Sequence, residues 1–231
     1  MALIHYTRRQ MLGYLAAGIY ASPALSATQV DLALVLAIDS SYSIDPYEYQ
    51  LQMRGTGQAF LDSKILEAIS RGPNKKIAIS AFFWSDPDKQ YVIIPWRLVA
   101  KTQDIIEIAD IFLRAPRDIY RGSTATGSAL MFAKSMLDNA PPSLRRVVDV
   151  STDGECNTGF SVTTARDLLV DADITINGLA IVNEIHDLRA YVESNIVGGQ
   201  GHFVITANDF NAYTSAIKMK LLKEIGNADL S

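Results

Sequence analysis

Residues 32–38 read Leu-Ala-Leu-Val-Leu-Ala-Ile, seven apolar side chains with no polar residue between them. A strand with one wet face alternates polar and apolar residues, so an unbroken run demands cover on both faces. "RRVVDVS" at 145–151 nearly repeats the pattern. Strand candidates fall at 31–38, 76–84, 91–98, 146–151, 174–181 and 202–205, and helical periodicity falls at 46–68, 102–114, 125–138, 161–171, 185–195 and 208–224. This alternation predicts a doubly wound α/β fold: a mostly parallel six-stranded sheet with helices on both faces. Only "SDPDKQ" joins the second and third strands. Six residues cannot hold a crossover helix, so the third strand is expected to run antiparallel at the sheet edge. Asp45-Pro46-Tyr47-Glu48 has the order of a helix start, with Asp as N-cap, Pro first and Glu third.

The first 27 residues differ from the rest. They hold no acid, the pair Arg8-Arg9, an apolar stretch from Met11 to Ala21 and small residues ending in Leu25-Ser26-Ala27. That is the order of a cleavable export signal, and the stretch falls short of the roughly 20 residues that span a bilayer. Thr7-Arg8-Arg9-Gln10-Met11-Leu12 resembles a twin-arginine signal, although paired arginines also precede ordinary Sec signals. The expectation is export to the periplasm or beyond, cleavage after Ala27 and one domain over residues 28–231, with no membrane span left. Loss of Arg8 and Arg9 leaves 19 Lys and Arg against 25 Asp and Glu, a net charge of −6. No basic cluster stands out, which argues against nucleic acid and anionic membranes as partners. Cys156 is the one cysteine, so no internal disulfide forms.

At the carboxyl end of the first strand lie Asp39, Ser41 and Ser43, one acid and two hydroxyls at alternate positions. Alone, such a run reads as an ordinary turn, because Asp and Ser bond their own backbone. Two further segments change the reading. "GSTATG" at 122–127 places Thr124 and Thr126 in a glycine-flanked loop before a helix, and "VVDVSTDG" at 147–154 ends a strand in Asp153-Gly154. Three loops then meet on one sheet edge, where ligands of open α/β sheets bind. Two carboxylates with neutral hydroxyls suit a hard cation such as Mg²⁺, which characteristically keeps an outside ligand.

These three segments resemble the von Willebrand factor type A (vWA) family and its metal-ion-dependent adhesion site (MIDAS). The resemblance extends over strand order, hairpin and final helix. More narrowly, the chain is similar to an uncharacterised group of secreted bacterial vWA-like proteins with "RRVVDVS-DG" and tryptophan-bearing hairpin strands. It implies a site of Asp39, Ser41, Ser43, Thr124 and Asp153 holding Mg²⁺, or Mn²⁺ or Ca²⁺ in its place. It further implies a protein partner that offers an Asp or Glu carboxylate.

Other features have plainer readings. Asp45 reads as an N-cap rather than an extra ligand, and Asp104 as a helix-start acid. Trp84 ends a strand on the site edge and reads as core; Trp96 falls toward the other end. The Tyr42 ring is expected exposed beside the ion, Cys156 inert, and Gly198–Gly201 a loop rather than a dinucleotide fingerprint. An enzyme is the rival to a binding module. Only His186 and His202 remain after the leader, no G-x-S-x-G elbow occurs, and a metal-assisted hydrolase would lack a base distinct from the ligands. A structural domain with a vestigial site is the third reading.

Overall fold

A computed structural model describes residues 29–117 and 122–226. Residues 1–27, the expected export signal, and Tyr120 and Arg121, which precede Gly122 in sequence, lie outside the described residues. Six strands form one sheet: β1 (Val30–Asp39), β2 (Ile77–Trp84), β3 (Gln90–Val99), β4 (Ser143–Thr152), β5 (Thr175–Ile181) and β6 (Val204–Ala207). Among the described residues seven helices accompany them: α1 (Pro46–Phe60), α2 (Ser63–Arg71), α3 (Thr102–Arg114), α4 (Thr126–Leu137), α5 (Val162–Val170), α6 (Leu188–Asn195) and α7 (Tyr213–Gly226). The strand order is β3-β2-β1-β4-β5-β6, parallel except for the antiparallel edge strand β3.

β1 is central, and all ten of its residues are buried. Successive side chains of a strand point to opposite faces. Leu32, Leu34, Leu36 and Ile38 accordingly pack with α1, α2, α3 and α7, whereas Ala33, Val35 and Ala37 pack with α4, α5 and α6. Large residues on one side and small ones on the other set how closely each helical layer approaches. Asp39 shares the parity of Ala37, which turns its side chain toward the α4 layer.

The expected helix over 46–68 is two helices. Asp62 adopts an extended backbone (φ −66°, ψ 127°) and caps α2 by accepting from Lys64 N at 3.0 Å. Asp-Ser is a helix-start pair, and here it overrides the continuous periodicity. The start of α1 matches expectation: Asp45 Oδ1 accepts from Tyr47 N and Glu48 N, while Glu48 Oε2 accepts from Asp45 N. Asp104 likewise sits in the first turn of α3, accepting from Ala100 N and Lys101 N. Several strand ends shift by one to three residues. The shift that matters is in β1, which includes Asp39 as its last residue rather than leaving it in the loop.

Candidate metal centre

The sheet order reverses between β1 and β4, because β1 crosses over to β2 on one side while β4 is added on the other. At such a switch point the loops part and leave a crevice outside the strand ends. Asp39 and Asp153 stand there, at the last residue of β1 and the first residue after β4.

Hydrogen bonds hold the first and third loops together. Ser41 N donates to Asp39 Oδ1 at 2.8 Å, which folds the loop back over the strand end. Thr152 Oγ1 donates to Asp39 Oδ2 at 2.6 Å and accepts from Gly154 N at 3.2 Å. Ser43 Oγ donates to Asp153 Oδ1 at 2.9 Å and lies 3.3 Å from Ser41 Oγ. The threonine loop is clamped beside them. Asn157 Oδ1 accepts from Thr124 N and Asn157 N donates to Thr124 O, both at 3.0 Å. Tyr42 N reaches Gly122 O at 3.0 Å. A Cβ on Gly154 would sit 3.4 Å from Thr124 Oγ1, so the D-G turn and the threonine face each other closely. Gly127 has a steric reason of its own: a Cβ there would come within 2.0 Å of Phe160 O.

The five expected residues are therefore gathered at one strand edge. Asp39, Ser41, Thr124 and Asp153 are buried, and Ser43 is exposed. Thr152 and Asn157 were not singled out from sequence, yet they orient Asp39 and Thr124. Thr152 follows a strand and precedes the D-G turn, so its type alone carried no signal; Asn157 reads as a plain loop residue. Tyr42 is 72% exposed beside the site, as expected. Trp84 is fully buried in the α4-side core, and Trp96 Nε1 donates to Met136 O near the end of α4. Cys156 is a free, half-buried thiol, with its Sγ 3.4 Å from Thr158 O.

Electrostatics decide whether this donor set suits a cation. Burial raises the Asp39 pKa to about 6, against the pull of the Thr152 and Ser41 hydrogen bonds. Asp153 is raised to about 7 by burial and then by the Asp39 charge, with Glu184 adding repulsion and Ser43 lowering it. The charges that act on Asp153 are thus acidic. Among the described residues no group of three or more His, Cys, Asp or Glu side chains is placed to hold a metal. This centre instead offers two carboxylates and three hydroxyls, the oxygen-only set that hard cations take. A cation relieves the repulsion that the protein itself leaves in place.

A pH dependence follows. Folded-state values of about 6 and 7 lie above the ordinary carboxylate range near 3.9. Between those limits the folded, metal-free protein binds more protons than the unfolded chain, so its stability falls as pH rises. Cation binding needs both groups deprotonated. The rise in Tm on adding Mg²⁺ should therefore be largest at pH 8 and shrink toward pH 5, and a pH-independent rise would count against binding at this pair.

The family model described as "Protein of unknown function (DUF1194)" matches residues 29–229. The chain belongs to the DUF1194 family. No curated protein matches it. Among solved structures, this DUF1194 member is similar to proximal thread matrix protein 1 from the mussel byssus. The identity is 18% and the TM-score 0.60, over 85% of this chain and 46% of that one. A further structure of the mussel protein has a zinc-occupied MIDAS motif, with a TM-score of 0.60 over 84% of this chain and 45% of that one. A von Willebrand factor type A protein from Catenulispora acidiphila is 19% identical with a TM-score of 0.58, over 85% and 43% of the two chains. The vWF domain of the type V pili tip protein Mfa5 from Porphyromonas gingivalis is 10% identical with a TM-score of 0.59, over 85% and 96%. The DUF1194 chain spans about half the length of the mussel chain. Its fold is vWA-like.

Proposed function

We propose that this protein is an exported binding module. Asp39, Ser41, Ser43, Thr124 and Asp153 would hold a divalent cation, Mg²⁺ in the first place, and the cation would take a carboxylate oxygen from an Asp or Glu of a protein partner. Residues 1–27 would serve as the export signal and 28–231 as the single binding domain, in the periplasm or outside the cell.

One observation carries this reading: two buried carboxylates meet at the switch point with hydroxyls around them, and among the described residues the charges of Asp39 and Glu184 act on Asp153. The zinc-occupied MIDAS motif of the mussel protein supports the same use of the fold. Pilus-associated relatives of the fold, an adhesin and a tip protein, support a binding role. No helix among the described residues is long and apolar enough to cross a membrane. Of the two histidines among the described residues, His202 lies at the far end of the sheet, with Nδ1 2.8 Å from Gly199 O, whereas His186 follows β5 on the same edge as the candidate centre.

The test is an affinity pull-down with the purified protein, run in Mg²⁺ and again in EDTA. The expected outcome is a partner retained in Mg²⁺, released by EDTA and lost with Asp39→Asn. A partner set unchanged by EDTA would reject the reading.

A further inference from the structure

The end of the sheet opposite the candidate metal centre holds a cavity of about 1140 Å³. The N-terminal ends of β4 and β5, the turn after α5, the glycine loop at 199–201 and the last turn of α7 surround it. Three cationic side chains line it: Arg145, Arg146 and Lys223. Among the described residues none of them forms an ion pair. Arg145 donates to Glu224 O at 2.9 Å and Ile225 O at 3.3 Å, closing the end of α7. Arg146 donates to Ala172 O, and Lys223 Nζ lies 4.1 Å from the centre of the Phe203 ring. These contacts fix the cations in place without neutralising them, and burial pushes the Arg145 pKa down.

Asp31, Asp173 and Glu224 line it as well, and the Glu224 and Asp31 charges pull the Arg145 pKa back up. Asp31 is engaged with Asn74 N and Nδ2, both at 2.8 Å, and with Lys76 N at 3.4 Å. Asp173 is exposed. Glu224 is buried, and its Oε1 accepts from Lys220 Nζ at 2.7 Å and Asn177 Nδ2 at 3.0 Å. Lys220 also pairs with Asp149 Oδ1 at 2.7 Å, so one ammonium faces two carboxylates. Burial and Asp149 raise the Glu224 pKa to about 8. Its Oε2 is buried and has no hydrogen-bond partner among the described residues. Val147, Val170 and Ile174 give the cavity an apolar wall.

We propose that this cavity binds a small organic anion, an oxyanion head group on an apolar body, with Arg145, Arg146 and Lys223 as its charge partners. Cations that form no ion pair among the described residues, beside an apolar wall, fit such a molecule, and Arg suits both carboxylate and phosphate head groups. The site is independent of any cation at the other end of the sheet.

The test uses octanoate and octyl phosphate as probes, with octanamide and octylamine as controls, all in EDTA. At about tenfold excess over its Kd, at least one anion should raise Tm by about 3–6 °C, and the controls should leave it unchanged. The larger of the two anion shifts identifies the head group. In calorimetry, Arg145→Gln and Lys223→Met should each weaken binding about tenfold or more; Lys223→Met is included because Arg145 also closes α7. Neither anion shifting Tm, equal shifts from the controls, or wild-type affinity in both variants would overturn the proposal.

Discussion

Asp39→Ala should lose Mg²⁺ and Mn²⁺ binding by more than about 100-fold, beyond the 10–100-fold typical of changes outside the ligand shell. Asp39 brings one of two carboxylates, and among the described residues no third acid joins them in a group placed to hold a metal. The alanine variant also strips the acceptor from Ser41 N and Thr152 Oγ1. Unpaired buried polar groups cost about 1–3 kcal/mol each, which blurs the comparison. Asp39→Asn removes the charge while keeping the shape and an acceptor for Ser41 N. It should bind as poorly as alanine yet fold better, and without metal at pH 8 it should melt no lower than wild type. That last expectation rests on burial: the Asp39 carboxylate is raised to about 6, so ionising it opposes folding. Thr124→Ala should be milder, because it removes a neutral oxygen that water can replace. Calorimetric titration of both cations into wild type and the three variants decides it. Equal binding by all four would remove these residues from any metal site.

The sheet was legible because its strands are buried on both faces, and burial writes itself as an unbroken apolar run. The antiparallel edge strand followed from loop length alone. The candidate centre was legible for a different reason: its oxygen-bearing residues sit at short, fixed spacings in three loops, two of them at strand ends. What stayed hidden depends on contacts between distant segments. Asp62 breaks the first helical segment, 46–68, through its backbone angle, which apolar periodicity does not register. Thr152 acquires its role only when β4 lies beside β1. Lys220 and Glu224, spaced four apart on α7, are both buried, which charged residues in an unmarked helical segment do not announce. A signal did exist in the strands. Asp149 and Asn177 interrupt apolar runs and are cross-strand neighbours in register. A charge inside a buried strand requires a buried partner.

That partner makes Lys220→Met the most damaging single change. Lys220 is fully buried and touches Asp149 and Glu224 at 2.7 Å each. Removing one member of a buried ion pair strands the other charge and costs about 3–5 kcal/mol. For a chain of this size that corresponds to a Tm lower by roughly 6–20 °C. The loss should depend on pH. Glu224 is already raised to about 8 in the presence of Lys220, and without the ammonium it is driven further toward its protonated form. Groups raised in the folded state bind protons that the unfolded chain has released, so stability falls as pH rises through that window. The defect should be worst at pH 8–9 and smaller at pH 5. Adding Asp149→Asn and Glu224→Gln removes the stranded charges and should recover much of the lost Tm, because a neutral buried set needs no counter-ion. Thermal melts of wild type, Lys220→Met and the triple variant across that range provide the measurement. A Lys220→Met protein as stable as wild type at pH 8, or a loss that neither pH 5 nor the two amides repair, would show that the lysine is held for its packing and not its charge.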